Sequence, residues 1–142
     1  MEKTVNTQVI FSAIRKVGSD EYNNVNPGQA VTFNDIIANI GNGMEPSSGV
    51  FTCPVSGIYA FSLSAETNID DSITRIKVYK NDEYEFRITD FNKRNYNNIG
   101  YSWTFNLEQG ERVFLRMDGE SSGLVVKSGV LVWFNGQLLL AK

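Results

Sequence analysis

The sequence predicts an all-β domain of the sandwich or jelly-roll kind, and three observations carry that expectation. The first is period. In Tyr59-Ala60-Phe61-Ser62-Leu63-Ser64-Ala65 and Ile99-Gly100-Tyr101-Ser102-Trp103-Thr104-Phe105-Asn106-Leu107, large apolar residues alternate with small or polar ones, which puts one face of each strand inside and the other outside. The second is punctuation: Asn26-Pro27-Gly28, Asn81-Asp82, Gln109-Gly110 and Asp118-Gly119 interrupt such runs with residues that favour tight turns. The third is that no amphipathic helix of useful length occurs anywhere in the 142 residues, so strands must pack on strands.

Taken in order, the strand-like runs are Val9 to Ile14, Val50 to Cys53, Tyr59 to Ala65, Thr74 to Lys80, Glu83 to Thr89, Ile99 to Leu107, Arg112 to Met117 and Val130 to Leu140. Between the first two, Phe33, Ile36, Ile37 and Ile40 have helical spacing, opened by Thr32 and Asn34 and closed by Gly41. A short helical turn and an irregular crossing segment both fit. The crossing segment is the expectation, because so short a run does not stand alone as a helix. One domain is expected over residues 8–142, after an N-terminal tail of residues 1–7.

The last run departs from alternation in a useful way. Val130-Leu131-Val132-Trp133-Phe134 is apolar at every position, although successive side chains point to opposite faces of a sheet. Exposing Trp133 or Phe134 would forfeit about 2–3 kcal/mol of burial. Either a loop of the same chain covers the second face, or another subunit does. The second is expected, with Ile10 and Ile14 of the first strand joining Trp133 in the contact.

Composition narrows the chemistry. A chain of about 150 residues can bury roughly 70% of its unfolded surface, so it needs no metal or disulfide, and its one cysteine cannot form an internal bridge. With no histidine, Ser-His-Asp and Cys-His nucleophile arrangements are absent, and no spacing supports a Ser-Lys dyad; the chain is expected not to be an enzyme. Cys53, within Phe51-Thr52-Cys53-Pro54-Val55, reads as a small core residue. A net charge of -3, with Arg15-Lys16 and Lys93-Arg94 as the densest basic pairs, argues against nucleic acid. No run approaches the roughly 20 apolar residues of a membrane span, and no membrane insertion is expected.

Binding on a rigid β scaffold is usually placed on its loops. Asp90-Phe91-Asn92-Lys93-Arg94-Asn95-Tyr96-Asn97-Asn98 combines amides, both signs of charge and aromatic rings, which suits sugar hydroxyls or an anionic group. Asp90, Asn92, Lys93, Arg94, Tyr96 and Asn97 are therefore candidate ligand residues, against the plainer reading of a polar hairpin loop. No cofactor is required. Gly41-Asn42-Gly43-Met44 lacks the third glycine of a dinucleotide loop. Asp118-Gly119-Glu120 opens like a calcium loop but has Gly129 at the twelfth position, where a bidentate glutamate is needed. Calcium on the loop carboxylates Asp70, Asp71, Asp118 or Glu120 stays open as a weak reading, beside that of solvated turns.

The order of these pieces resembles the globular head domain of the complement C1q family, within the tumour-necrosis-factor-like jelly rolls. The resemblance rests on Phe11-Ser12-Ala13-x-Arg15, Val31-Thr32-Phe33-Asn34, Asn39-x-Gly41, the long stretch Glu45-Pro46-Ser47-Ser48-Gly49-Val50-Phe51-Thr52-Cys53-Pro54-Val55-Ser56-Gly57-Ile58-Tyr59-x-Phe61-Ser62, Lys80-Asn81-Asp82, Leu107-x-x-Gly110-Glu111-Arg112-Val113-x-Leu115 and Phe134-Asn135-Gly136-Gln137-Leu138-Leu139. Met44 and Gln137 depart from it, standing where the family usually has larger apolar side chains. It implies a ten-stranded jelly roll, a homotrimer with its termini near one base, secretion, and lectin-like recognition of glycans or microbial surface molecules in innate immunity. A cytokine-like or adhesion ligand gripping a protein receptor is the alternative. The first residues contain no apolar stretch of signal-peptide length, so the expected extracellular location comes from the resemblance alone.

Overall fold

The computed structural model describes residues 7–17, 25–67, 72–92, 97–119 and 129–142. Among the described residues ten strands form: β1 (Ile10–Val17), β2 (Asp35–Ile40), β3 (Met44–Glu45), β4 (Val50–Thr52), β5 (Gly57–Thr67), β6 (Ser72–Lys80), β7 (Glu83–Asn92), β8 (Asn97–Leu107), β9 (Arg112–Met117) and β10 (Gly129–Ala141). They build two five-stranded antiparallel sheets, ordered β2-β1-β10-β5-β8 and β3-β4-β9-β6-β7. The chain crosses between sheets after β2, β4, β5, β7, β8 and β9, which makes the jelly roll.

The alternating runs behave as their period dictates. In β5, Tyr59, Phe61, Leu63 and Ala65 are buried between the sheets, while Ile58, Ala60, Ser62 and Ser64 face out. The core is aromatic: Phe11 lies 4.9 Å from Phe51 and 5.0 Å from Phe134, centroid to centroid, and Phe61 lies 6.1 Å from Phe134. Its closeness explains Gly136. A Cβ there would come within 2.2 Å of the Phe11 ring. Gly49 has φ +76° and packs on the backbone of Val31, where a Cβ would meet the carbonyl oxygen at 2.0 Å; both steric counts favour glycine.

One expectation is corrected. Residues 33–40 hold strand β2, not an irregular crossing: Ile40 pairs with Ile10 and Asp35 with Ile14. Its helical spacing arises because it is an edge strand whose pairing is broken by an irregularity at Ser12/Ala13, so Ile36 turns to the core while Ile37 and Ile40 are exposed. The apolar ribbon of β10 divides between the two faces of its sheet. Val132 and Phe134 are fully buried and Trp133 is on the outer face, 38% exposed, its indole N–H donating to Ser12 Oγ at 2.6 Å. Ile14, directly opposite Trp133, is already buried within one chain. Only Ile10 and Trp133 of the three expected contact residues therefore offer surface; the side chains of Val130 and Leu131 lie outside the described set.

Candidate functional site

Strand pairing sets where the candidate residues gather. Thr67 of β5 lies opposite Asn97 of β8, Ser72 of β6 opposite Asn92 of β7, Ile76 opposite Met117 of β9, and Val17 of β1 opposite Gly129 of β10. The strand ends that lead into segments 18–24, 68–71, 93–96 and 120–128 are thus at one end of the sandwich. At the other end Val9, Gly57, Asn81, Gly110 and Lys142 are joined through bonds such as Leu138 N–H to Val9 O, Lys142 N–H to Ser56 O and Asn81 N–H to Arg112 O, so both chain ends leave from there.

At the loop end the structure fixes Asp90 and Asn97. The Asn97 amide donates to both Asp90 carboxylate oxygens, at 2.7 and 2.9 Å. Since β7 and β8 belong to different sheets, this charge-assisted bond ties the sandwich shut beside the connecting segment. Asp118 is equally built in: it is buried, its backbone N–H donates to Arg75 O at 2.8 Å, and its carboxylate lies 3.5 Å from the Arg87 guanidinium, an arrangement that competes with a cation. Lys93, Arg94, Tyr96, Asp70, Asp71 and Glu120 lie outside the described residues, as does the side chain of Asn92. Among the described residues no group of three acidic, Cys or His side chains is placed to hold a metal.

The sulfur of Cys53 is buried and donates to Val55 O, which also accepts the Tyr59 hydroxyl at 2.6 Å. Burial pushes the Tyr59 phenol up, with Cys53 adding to it. This is core packing. The residues carrying the resemblance likewise hold chain segments together. Arg15 donates to Thr32 O and Oγ1 at 3.1 and 3.0 Å, Asn34 brackets the backbone of Lys16 at 2.7 and 2.9 Å, and Asn39 brackets that of Met44 at 3.1 and 2.9 Å. Glu111 accepts from the Glu108 backbone at 2.7 Å and from Asn81 at 2.9 Å, and that backbone bond, with Asn81 and Lys80, holds its carboxyl below the ordinary glutamate value.

Two surfaces had no local sequence signal. On the outer face of the first sheet, Ser12, Asn135, Ser62 and Ser102 stand opposite one another across β1, β10, β5 and β8, and this row of small polar residues floors a groove of about 280 Å³ flanked by Ile10 and Gln137. At the rim, where β8 is the sheet's last strand, Tyr101, Trp103 and Phe105 cluster with Phe86 of β7 at centroid distances of 5.5, 5.3 and 6.4 Å. Tyr101 remains 51% exposed.

A family model of the C1q domain matches residues 10–139. The chain belongs to the C1q domain family. A polypeptide of the complement C1q subcomponent of Rattus norvegicus is 31% identical over 134 residues, covering 93% of this chain and 51% of the relative. Hibernation-associated plasma protein HP-20 of Tamias sibiricus is 27% identical over 113 residues, covering 80% and 56%. The globular domain of zebrafish complement 1qA superposes with a TM-score of 0.75 at 22% identity, covering 94% and 99%, a likeness of fold. The C1q domain thus spans about half the length of the curated relatives it matches. Domains of the C1q family are recognition and ligand modules rather than enzymes, and they form trimers. Among the described residues no helix is long and apolar enough to cross a membrane.

Proposed function

We propose that this C1q domain is an extracellular, non-enzymatic recognition module of innate immunity that assembles as a homotrimer and binds glycans or microbial surface molecules through its loop end. The observation that carries the reading is the division of the sandwich: the strand ends leading into the candidate segments gather at one pole, both chain ends leave from the other, and exposed apolar surface lies on the sides between. A lateral contact would leave three loop ends pointing the same way, and several weak sites on one particle gain avidity without any new contact.

Self-association is supported by two unlike surfaces on one chain. The aromatic rim of Phe86, Tyr101, Trp103 and Phe105 is bulky and apolar; the Ser12-Asn135-Ser62-Ser102 row is flat and small. Seating one against the other is a heterologous contact, of the kind that generates rings, and the trimers of related domains set the expected number at three. Ile10 lines the same groove, and the Trp133 indole N–H is bonded to Ser12 on its floor.

The test is a screen of glycans and bacterial polysaccharides, run with calcium and with chelator. Specific binding that falls at least tenfold when Lys93, Arg94 and Tyr96 are replaced together by alanine supports the loop end. Binding that ignores those substitutions, or a saturable protein receptor with no carbohydrate ligand, would replace this reading with that of a protein ligand.

A further inference from the structure

Two Asn-Gly pairs occur in the sequence, Asn42-Gly43 and Asn135-Gly136, and the fold treats them in opposite ways. Asparagine before glycine is open to attack by the following backbone nitrogen on its own side-chain amide, because glycine carries no Cβ to obstruct the approach. Asn135-Gly136 is shielded from that reaction. It lies in β10, between β1 and β5, where the backbone N–H of each residue is committed to one neighbouring strand or the other. Gly136 is buried, and the Asn135 amide donates to Ser62 Oγ at 3.3 Å.

Asn42-Gly43 stands in the turn that carries the chain from β2 in the first sheet to β3 in the second. Asn42 is exposed and has φ +55°, and among the described residues its side chain makes no hydrogen bond. The Gly43 N–H likewise has no partner among the described residues. The flanking chain, by contrast, is pinned. Ile40 is opposite Ile10, the Asn39 side chain brackets the Met44 backbone at 3.1 and 2.9 Å, Gly43 O accepts the Thr52 N–H at 2.8 Å, and Met44 is opposite Phe51. Gly43 has no room to shift, since a Cβ on it would come within 2.5 Å of the Phe51 ring and 2.8 Å of Thr52 O. Among the described residues Asn42 itself is held only through its backbone N–H, 3.3 Å from Asn39 O, so the residue that must turn for the attack has the weakest hold.

We propose that Asn42 is a site of spontaneous deamidation and that its isoaspartyl product unclasps β3 from β4. The Gly43 nitrogen forms a bond to Asn42 Cγ, the Cγ–Nδ2 bond breaks, and Nδ2 leaves as ammonia with the proton given up by Gly43. Water then opens the cyclic imide at one of its carbonyls. Breaking the bond to Cγ restores the main chain and leaves aspartate; breaking the bond to the backbone carbonyl carbon leaves isoaspartate, with the main chain routed through the side chain. The second product puts one more atom in the main chain, about 1.5 Å of added length, and sets a carboxylate at the turn. A segment pinned at Ile40 and Met44 absorbs that length only by losing the Asn39 bracket or the Thr52 bond, and the buried Met44 then loses its place beside Phe51. Gly41 packs on Val9, so the turn is at the pole from which both chain ends leave, and the inference does not depend on what the loop end binds.

The test incubates the full chain in mildly alkaline buffer and follows both Asn-Gly pairs by peptide mapping, while isoaspartyl methyltransferase with labelled S-adenosylmethionine reports isoaspartate in parallel. In the folded chain Asn42 should convert faster than Asn135 by about tenfold or more, since a central strand exposes its backbone only through large-scale opening. In guanidinium chloride, where both pairs are open, the two rates should come within about threefold. Asn42→Gly, which suits φ +55° and carries no amide, should fold, melt close to the parent and show no conversion in this turn. The isoaspartyl form, separated by chromatography, should melt below the parent and exchange its Thr52 amide faster, whereas Asn42→Asp should match the parent in both. Conversion of Asn42 no faster than that of Asn135 in the folded chain would overturn the site. An isoaspartyl form with the parent's melting temperature and Thr52 protection would overturn the unclasping, as would an equal loss of protection in Asn42→Asp, which adds the charge without the length.

Discussion

Replacing Tyr101 by serine probes the rim where a second copy is expected to sit. Tyr101 is 51% exposed in the single chain; an aromatic side chain presents about 200 Å², so about 100 Å² is available to a neighbour, worth about 2.5 kcal/mol at 25 cal/mol per Å². A trimer contains the contact three times and loses about 7.5 kcal/mol in all, and the concentration of half-assembly enters as its square, so that midpoint should rise about 500-fold. This is an upper figure, since ordering side chains at an interface consumes part of the gain. The substitution also removes the Phe86 and Trp103 ring contacts, at 5.5 and 6.2 Å, within the chain, worth about 0.5–1.5 kcal/mol each. That part is read separately, as a lower melting temperature at dilutions where both proteins are monomeric. Sedimentation velocity across a concentration series gives the midpoint. A shift smaller than tenfold would refute the assignment of this rim to the contact.

Other perturbations act on the core, a surface carboxylate and the loop end one at a time. Gly136→Ala should destabilise the fold by about 1–3 kcal/mol, the usual cost of overpacking, because the Phe11 ring must leave its place against Phe51 and Phe134; chemical denaturation measures it, and a neutral result would contradict the packing described. Glu111 is held below the ordinary glutamate value of 4.5, so its contribution is present above that pH and is lost as pH falls through the lower folded value. The drop in melting temperature between pH 5 and about 3 should therefore be smaller in Glu111→Gln than in the parent. Asn97→Ala leaves the Asp90 carboxylate without the amide that donates to both its oxygens and should cost about 1–3 kcal/mol, with hydrogen exchange fastest at the facing ends of β7 and β8. An unaltered exchange pattern would mean that the bond does not tie the sheets.

Eight of the ten strands were legible, most because their apolar residues alternate and all because turn residues separate them. β2 and β3 were not: β3 is only two residues long, and β2 is an edge strand in which the break opposite Ser12/Ala13 converts its period into a false helical one. The ribbon around Trp133 was legible as apolar on both faces, but sequence could not show that Ile14 is shielded within the chain while Trp133 leans on Ser12. Tyr101-x-Trp103-x-Phe105 reads as core by period. Only the strand order reveals that β8 is last in its sheet, so that an inward-facing side chain there lies at an open rim, with burial fading from Leu107 to Tyr101.

The proposed multivalent recognition requires that the exposed rim and groove be covered by other copies of the chain. Sedimentation equilibrium of the unaltered chain at micromolar concentration tests that most directly. A species of three chain masses is expected, dissociating only on strong dilution or on replacement of Tyr101; a single species of one chain mass, unchanged across the concentration range, would contradict it.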